Sequence, residues 1–455
     1  MLALAGRTVT WGRITLPLEP RLAARAVATW GVAEVRSMPL ALRAWFAILL
    51  AFMAVGAVAA VIAWPPGWEV FGTTPQFEWG LLIIGYVFFA IMTSGLCLAS
   101  SLGTVFKIDR FRPLEKRHAL LALLSLICAF GLIALDLHYP IRMVFGAILS
   151  PAPTSPMWWM GVFYGAYLVV LMVEVWSMFT AHPIIHQWSC TVAAAIAVAA
   201  PTTLGAVFGF INAKAWWGGA WTAVLMVASA FLAGTSLLSV VFGLVARLRL
   251  AGHARARALA FPALRLLVLV GLILVSALVA RAVIVGLGGG PRGLKEATEA
   301  LVFGPLAPLF WIGRVGLGLV VPFILVTVPW FERPAGVVAT GVLGLLGVFV
   351  DRTLLVVAGQ FVPMTASAGN VPNPYAFYFP SPIEIAIVLG AASVLAFVYT
   401  IAERYVNLDE TDTHRGYGIA EAMARFRGRG AAADTEIDAA GAAGAPEGPS
   451  AGVPA

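Results

Sequence analysis

Charged residues are scarce in this sequence. Only 11% of its 455 residues are Asp, Glu, Lys or Arg, whereas 61% are hydrophobic. A water-soluble domain carries about 25% charged residues, so this chain has too little polar surface to cover a globule in water. Because lipid satisfies no backbone hydrogen bonds, only helices or a closed β-barrel can span a bilayer. The apolar runs are about 20 residues long rather than alternating segments of about 10, which predicts helices.

Cysteine is also rare. Cys97, Cys128 and Cys190 are the three cysteines of the chain, and each lies alone within an apolar stretch. This spacing excludes an iron–sulfur cluster or a zinc ribbon with cysteine ligands from this chain alone. We interpret all three as small buried hydrophobic side chains.

Histidine pairs suited to haem are lacking in the middle of the apolar runs. A membrane cytochrome b needs His pairs at matching depth on facing helices. Three histidines lie near one membrane face, namely His118, His182 and His186, and they leave open the possibility of one haem there. His138 is alone at the other face. We expect no haem, no iron–sulfur cluster and no bound metal in this chain.

Ten apolar runs predict an all-α polytopic membrane bundle. Residues 1–41 form an N-terminal arm, 42–405 the transmembrane domain, and 406–455 a tail of Ala, Gly, Pro and Ser that we expect to be largely disordered. The predicted spans are 42–63, 79–105, 118–138, 157–180, 189–211, 217–246, 262–288, 301–329, 335–357 and 382–403.

The basic residues predict the orientation. They concentrate in the N-terminal arm, loops 106–117 and 247–261 and the C-terminal tail, which all lie on one side of a ten-span protein. The positive-inside rule therefore predicts that both termini are cytoplasmic. It also explains the net charge of +7 without a nucleic-acid partner. A composition rich in Ala, Gly and Arg favours a bacterial inner (plasma) membrane.

Glu174 lies deep in the fourth predicted span. A charged group in a spanning segment is costly and needs a reason. Two interpretations stay open for Glu174: a carboxyl satisfied by neighbouring helices, or an acid that relays protons or faces a ligand.

The end of the third predicted span combines four polar groups within seven residues: Asp136, His138, Tyr139 and Arg142. Asp and Arg can pair at a membrane boundary. His and Tyr can donate hydrogen bonds to a carbonyl oxygen and exchange protons near neutral pH. A quinone headgroup needs such hydrogen bonds and proton exchange. A helix-ending turn with an interfacial salt bridge also fits the pattern.

Four further charges lie inside predicted spans: Arg281, Arg314, Asp351 and Arg352. Intramembrane arginines need carboxylate or carbonyl partners. Arg314 with Asp351 is one candidate pair. We expect these four residues to be structural rather than catalytic.

Three stretches of residues 78–405 resemble the NrfD/PsrC family of membrane subunits, and within it the HybB-like and DsrP-type proteins. EWGLLIIGYVFFAIMTSGLCLAS resembles the family's Trp-Gly opening and small-residue patch. ALDLHYPIR resembles its Asp-Leu-Gly-Arg-Pro pattern with a following Arg. VDRTLLVVAGQFVPM and YFPSPIEIAIVLGAASVLAFVYTIAERYV resemble its last two spans.

The resemblance implies a quinone-reactive membrane anchor of a respiratory oxidoreductase complex. Such an anchor passes electrons between the quinone or menaquinone pool and a ferredoxin-like iron–sulfur subunit on the outer face. A further catalytic subunit is of molybdopterin, hydrogenase or multihaem type. Asp136, Pro140 and Arg142 match the family pattern, whereas His138 and Tyr139 replace its Gly-Arg. Asp351 stands where the family has Asn, and Glu174 resembles an acid of the corresponding span.

These observations lead to two hypotheses. In the first, quinone binds among spans two to four, near the outer face, and Asp136, His138 and Glu174 handle protons. Its predicted contacts are Trp79, Tyr86, Asp136, His138, Tyr139, Arg142 and Tyr164. In the second, the chain is a secondary transporter, because Gly-rich helices with a few buried charges also suit that class. Pro201 and Pro322 interrupt spans, but no clear internal repeat surrounds them.

Overall fold

A computed structural model describes most of the chain. The described residues are 4–5, 8–11, 14–17, 38–64, 67–137, 145, 150–180, 182–211, 213–248, 254, 256–289, 292–362, 375–405 and 408. Within them, ten helices are long and apolar enough to cross a bilayer. The predicted all-α membrane bundle of ten spans is therefore confirmed.

The helices are numbered in chain order. They are α1 (Leu40–Ala63), α2 (Leu81–Thr104), α3 (Glu115–Asp136), α4 (Pro156–Thr180), α5 (Pro183–Gly209), α6 (Trp221–Arg247), α7 (Phe261–Leu287), α8 (Arg292–Val302), α9 (Leu309–Thr327), α10 (Pro334–Phe361) and α11 (Pro382–Tyr405). The first part of α9, Leu309–Val320, is a π-helix. Before α1, three short strands pair antiparallel in the order β1 (Leu4–Ala5), β2 (Thr8–Trp11) and β3 (Ile14–Pro17).

The short helix α8 occupies most of the gap 289–300 between two predicted spans. It has 11 residues, and its apolar residues Ala297, Ala300 and Leu301 are buried. Its other face is exposed and carries Lys295 and Glu299, whose charged atoms are 3.7 Å apart. An 11-residue helix is too short to span the bilayer, so a search for long apolar runs does not find it.

The centre of the bundle is the crossing of α2 and α6, the two most deeply buried spans. They touch at Gly95 and Gly234. A Cβ atom at Gly95 would lie 1.7 Å from the carbonyl oxygen of Ala230, so only glycine permits this approach. Small residues at helix crossings are a general means of packing helices closely in membranes.

The first and last spans pack together at the edge of the bundle. Trp45 of α1 donates a hydrogen bond from Nε1 to Thr400 Oγ1 of α11 at 3.2 Å. The rings of Phe46 and Phe397 meet edge to face, with centroids 5.4 Å apart. The rest of α1 is mostly exposed, which is expected of a helix with lipid on its other sides.

Candidate functional site

The bundle has two ends, named here by residues near them. The Trp79 end is where α2 begins and α3 ends, and the His118 end is opposite. By the predicted orientation the Trp79 end is the outer one, and that assignment stays a prediction. Polar side chains cluster at both ends and between them.

Glu174 is the centre of a buried cluster toward the His118 end. Its side chain is fully buried. Its Oε1 lies 3.1 Å from His118 Nε2 of α3 and accepts a hydrogen bond from the Cys190 thiol of α5 at 3.5 Å. In the described part of the chain, Oε2 has no hydrogen-bond partner. Three helices thus meet at one carboxyl group that keeps a free oxygen.

His186 extends this cluster. Its Nδ1 lies 3.2 Å from Ser177 Oγ. The Ser177 hydroxyl already donates to the backbone carbonyl of Glu174 at 2.7 Å. Its proton is therefore committed, so His186 Nδ1 must be the donor in the contact with Ser177. This leaves His186 Nε2 facing Cys190 Sγ at 3.6 Å.

A series of tyrosines continues from Glu174 toward the Trp79 end. Tyr167 and Tyr164 lie on the same face of α4 as Glu174 and are buried. Tyr167 lies close enough to Glu174 and Tyr164 to interact electrostatically with both, and Tyr164 does so with Tyr86 of α2. The Tyr164 hydroxyl lies near Ser94, and the Tyr167 hydroxyl lies near the Cys97 thiol. From Glu174 to Tyr164 the helix rises about 15 Å, half the thickness of the hydrocarbon core.

Trp79 is held in a fixed position at its end of the bundle. Its ring stacks on Trp217 and meets Phe208 edge to face, with centroid distances of 5.0 and 5.1 Å. The Gln360 side chain accepts from the Trp79 backbone N–H at 2.9 Å and donates to its carbonyl oxygen at 3.0 Å. Trp79 stays half-buried between these contacts.

Asp136 is half-buried and lies near two residues that the sequence did not single out, Glu384 and Tyr378. The Glu384 carboxylate accepts hydrogen bonds from the backbone N–H groups of Gly72, Leu81 and Ser381 at 2.9, 3.1 and 2.8 Å. It also accepts one from the Tyr378 hydroxyl at 2.6 Å. Leu81 begins α2, so Glu384 places negative charge at the N-termini of both α2 and α11, where the helix dipoles favour it.

The sequence contains one pattern that points to Glu384, a helix capping box. Ser381 and Glu384 form a capping box, in which the Glu384 N–H donates to Ser381 Oγ at 3.2 Å. Burial, followed by the hydrogen bond to the Glu384 carboxylate, raises the pKa of Tyr378 above its usual value. The phenol therefore stays protonated and acts as a donor at neutral pH.

The predicted polar group after α3 is described only in part. Asp136 is within the described residues, whereas His138, Tyr139, Pro140 and Arg142 lie outside them. Of the other predicted quinone contacts, Tyr86 and Tyr164 are close enough to interact electrostatically, and Trp79 stacks on Trp217. The joint arrangement of all seven predicted contacts stays a prediction.

The intramembrane charges of α9 and α10 form one cluster. The candidate pair is present: an Arg314 guanidinium nitrogen contacts the Asp351 carboxylate, which also binds Arg352. All three side chains are almost fully buried. Arg281 does not join them. Its guanidinium lies over the Trp221 ring at 4.0 Å, so an aromatic ring replaces the carboxylate or carbonyl we expected.

The described ranges contain no three His, Cys, Asp or Glu side chains that converge to hold a metal ion. In the Glu174 cluster His118 and the Cys190 thiol contact the carboxyl directly, and His186 contacts the thiol. This arrangement can hold and exchange a proton.

Comparison with known proteins adds to this geometry. A family model described as "Polysulphide reductase, NrfD" matches residues 69–363. A selenate reductase subunit of Mesobacillus selenatarsenatis is 22% identical over 421 residues, which cover 82% of this chain and 96% of that protein. The Hdr-like menaquinol oxidoreductase integral membrane subunit of Archaeoglobus fulgidus is 24% identical over 365 residues, covering 78% of this chain and 90% of that protein.

The family match covers most of the helices but not the last one. It spans α2 to α10 and so contains Trp79, Asp136 and the Glu174 cluster. It ends before α11, so the resemblance expected there and the side chains of Tyr378, Ser381 and Glu384 lie outside it. The matched range is well over half of the chain, and the chain therefore belongs to the NrfD family of polysulphide reductase membrane proteins.

Proposed function

We propose that this chain is the quinone-interacting membrane subunit of an oxidoreductase complex. It would exchange electrons between the membrane quinone pool and an iron–sulfur partner subunit at the Trp79 end, on the outer face of a bacterial inner membrane. A further catalytic subunit, of molybdopterin, hydrogenase or multihaem type, would complete the complex. The observation that carries the proposal is the family match over residues 69–363, which contains the buried acid, histidine and tyrosine side chains described above.

The similar proteins support the redox role. One is named as an integral membrane subunit of a menaquinol oxidoreductase and the other as a subunit of a selenate reductase. Interconversion of quinone and quinol moves two electrons and two protons. In our proposal the electrons pass to or from the partner subunit, and side chains of this chain carry the protons. No particular observation in the bundle favours the alternative, a secondary transporter.

The quinone headgroup would bind at the Trp79 end. Its flat ring would pack against the half-buried Trp79, and aromatic walls with few polar groups are typical of such pockets. Asp136, beside Glu384 and Tyr378, would exchange a proton with the bound substrate. His138, Tyr139 and Arg142 would supply the remaining hydrogen bonds to the carbonyl oxygens.

A second proton path would run through the interior. Tyr86, Tyr164 and Tyr167 form a series from the Trp79 end to Glu174, and Glu174 contacts His118. The free Oε2 of Glu174 and the hydroxyls of Tyr164 and Tyr167 are positions at which water or a proton can be accepted. The path would join quinone chemistry at one end to solvent at the other.

Purification from native membranes in mild detergent tests the proposal. We expect an iron–sulfur subunit and quinone to co-purify with the wild-type chain. Quinone should be lost from Asp136→Ala and from His138→Ala. Glu69→Gln is the matched control, because Glu69 is an exposed carboxylate at the same end of the bundle. A chain isolated without iron–sulfur subunit or quinone would refute the proposal and direct attention to transport assays.

A further inference from the structure

The buried charges of α9 and α10 do not sum to zero. Two guanidinium groups, those of Arg314 and Arg352, share the single carboxylate of Asp351. In the described part of the chain no second carboxylate contacts either arginine. One positive charge therefore remains uncompensated inside the bundle, where an unpaired charge is costly.

A cavity of about 120 Å³ adjoins this charge. Arg314, Trp216, Trp221 and Arg281 line it. Arg314 Nε and Trp216 Nε1 are buried donors with no acceptor among the described residues. Two guanidinium groups and an indole N–H thus surround a space that contains no described carboxylate. Their chemistry fits an anion with several acceptor oxygens.

An apolar groove of about 630 Å³ is lined by α6 and α7, which also line part of the cavity, and by residues near the end of α2. Its lining includes Val224, Val227 and Phe231 of α6 and Val270 and Leu278 of α7. Leu278 is one turn from Arg281, and Val270 is about 16 Å from it along the helix axis. On α7 the groove therefore begins one turn from Arg281 of the cavity and extends toward the His118 end of the bundle, the direction in which an acyl chain would lie.

We propose that the cavity and groove bind one anionic phospholipid. Its phosphate would contact Arg281, Arg314 and Trp216, and one acyl chain would lie in the groove. Arg281 and its neighbours Ile284 and Val285 are exposed on the outer side of α7, so a lipid can reach the cavity from the bilayer. A neutral quinone headgroup could accept the same hydrogen bonds, but it would leave the positive charge uncompensated.

Native mass spectrometry of the full-length protein tests the phosphate contact. The delipidated protein is titrated with phosphatidylglycerol and with phosphatidylcholine. We expect wild type and Arg281→Lys to bind phosphatidylglycerol at least about tenfold more tightly than phosphatidylcholine, and Arg281→Gln to lose about tenfold in affinity, which corresponds to about 1.4 kcal/mol. Arg247→Gln removes an exposed arginine at the other end of α6 and should bind as wild type does. Equal binding of both lipids, or an unchanged Arg281→Gln, would overturn the proposal.

A second pair of variants tests the groove. Val224→Trp fills it from an exposed position and should weaken phosphatidylglycerol binding about tenfold. Val192→Trp places the same ring at an exposed position on α5 and should have no effect. Inorganic phosphate that binds equally well to wild type and Val224→Trp, without any preference for lipid, would assign the cavity to a free anion instead. Retention of quinone there that Arg281→Gln abolishes would also contradict the lipid. Neither outcome bears on the Asp136 experiment.

Discussion

Replacing Asp351 by asparagine should destabilise the bundle more than any substitution of a surface charge. Asn keeps the shape of the side chain and removes its charge, so the buried Arg314 and Arg352 lose their shared partner. Breaking a buried ion pair by removing one member costs about 3–5 kcal/mol. Because two guanidinium groups depend on Asp351, we expect a loss near the upper end, about 5 kcal/mol.

A double variant separates charge from shape. Asp351→Asn raises the net charge of the cluster by one, and adding Arg314→Gln returns it to the wild-type value. We therefore expect the double variant to be about 1–3 kcal/mol more stable than Asp351→Asn alone, the size of coupling found between contacting residues. Additive losses would instead indicate that the side chains act through packing.

The assay is reversible unfolding by SDS in mixed micelles, followed by circular dichroism. Glu332→Gln is the matched control. Glu332 is 73% exposed and lies 3.7 Å from Arg265, so its loss should change stability by less than about 1 kcal/mol. If Asp351→Asn costs less than about 1 kcal/mol, or if the double variant is less stable than Asp351→Asn, the account of a charge-balanced cluster is wrong.

Three further predictions concern the candidate site. Glu174→Gln should lower quinol-linked turnover by about 100-fold while bound quinone is retained, because the amide cannot exchange protons; unchanged turnover would make Glu174 structural. Glu384→Gln should cost about 2–4 kcal/mol in the same unfolding assay, since four donors lose a charged acceptor and face an amide; a loss below about 1 kcal/mol would refute this. The raised pKa of Tyr378 means that the folded state holds its proton more tightly than the unfolded state. The stability advantage of wild type over Tyr378→Phe should be full below pH of about 10, where the unfolded phenol is protonated, and should shrink as pH rises further; a pH-independent difference would contradict it.

The helices of this protein are predictable because runs of about 20 apolar residues permit little else in a bilayer. The residues at which the helices begin and end are less predictable. α5 begins at Pro183, six residues before the predicted start, because polar residues of its first turns interrupted the apolar run. Helix α8 is not predicted, because polar residues separate its apolar residues, which therefore form no continuous apolar run.

The site was predictable where a residue was unusual on its own. Glu174 was singled out because an acid inside a span is rare. Its contact with His118 was not predictable, because a sequence gives no rotation of one helix against another. Tyr167 was missed because a tyrosine in an apolar run equally predicts a membrane anchor. His138, Tyr139 and Arg142 stay predictions.

The contact between α1 and α11 bears on how the protein is made. Trp45 and Thr400, which join the two helices, are 355 residues apart in the chain. Ribosomes add about 5–20 residues per second, so α1 enters the membrane roughly 18–70 s before its main partner exists. During that time α1 must remain stable as a single helix surrounded by lipid. The sequence of α1 is compatible with this, because it carries no charged side chain after Arg43 near its beginning. A polar substitution on α1 could therefore act before folding ends, by releasing the first span from the membrane while the last is still being synthesised.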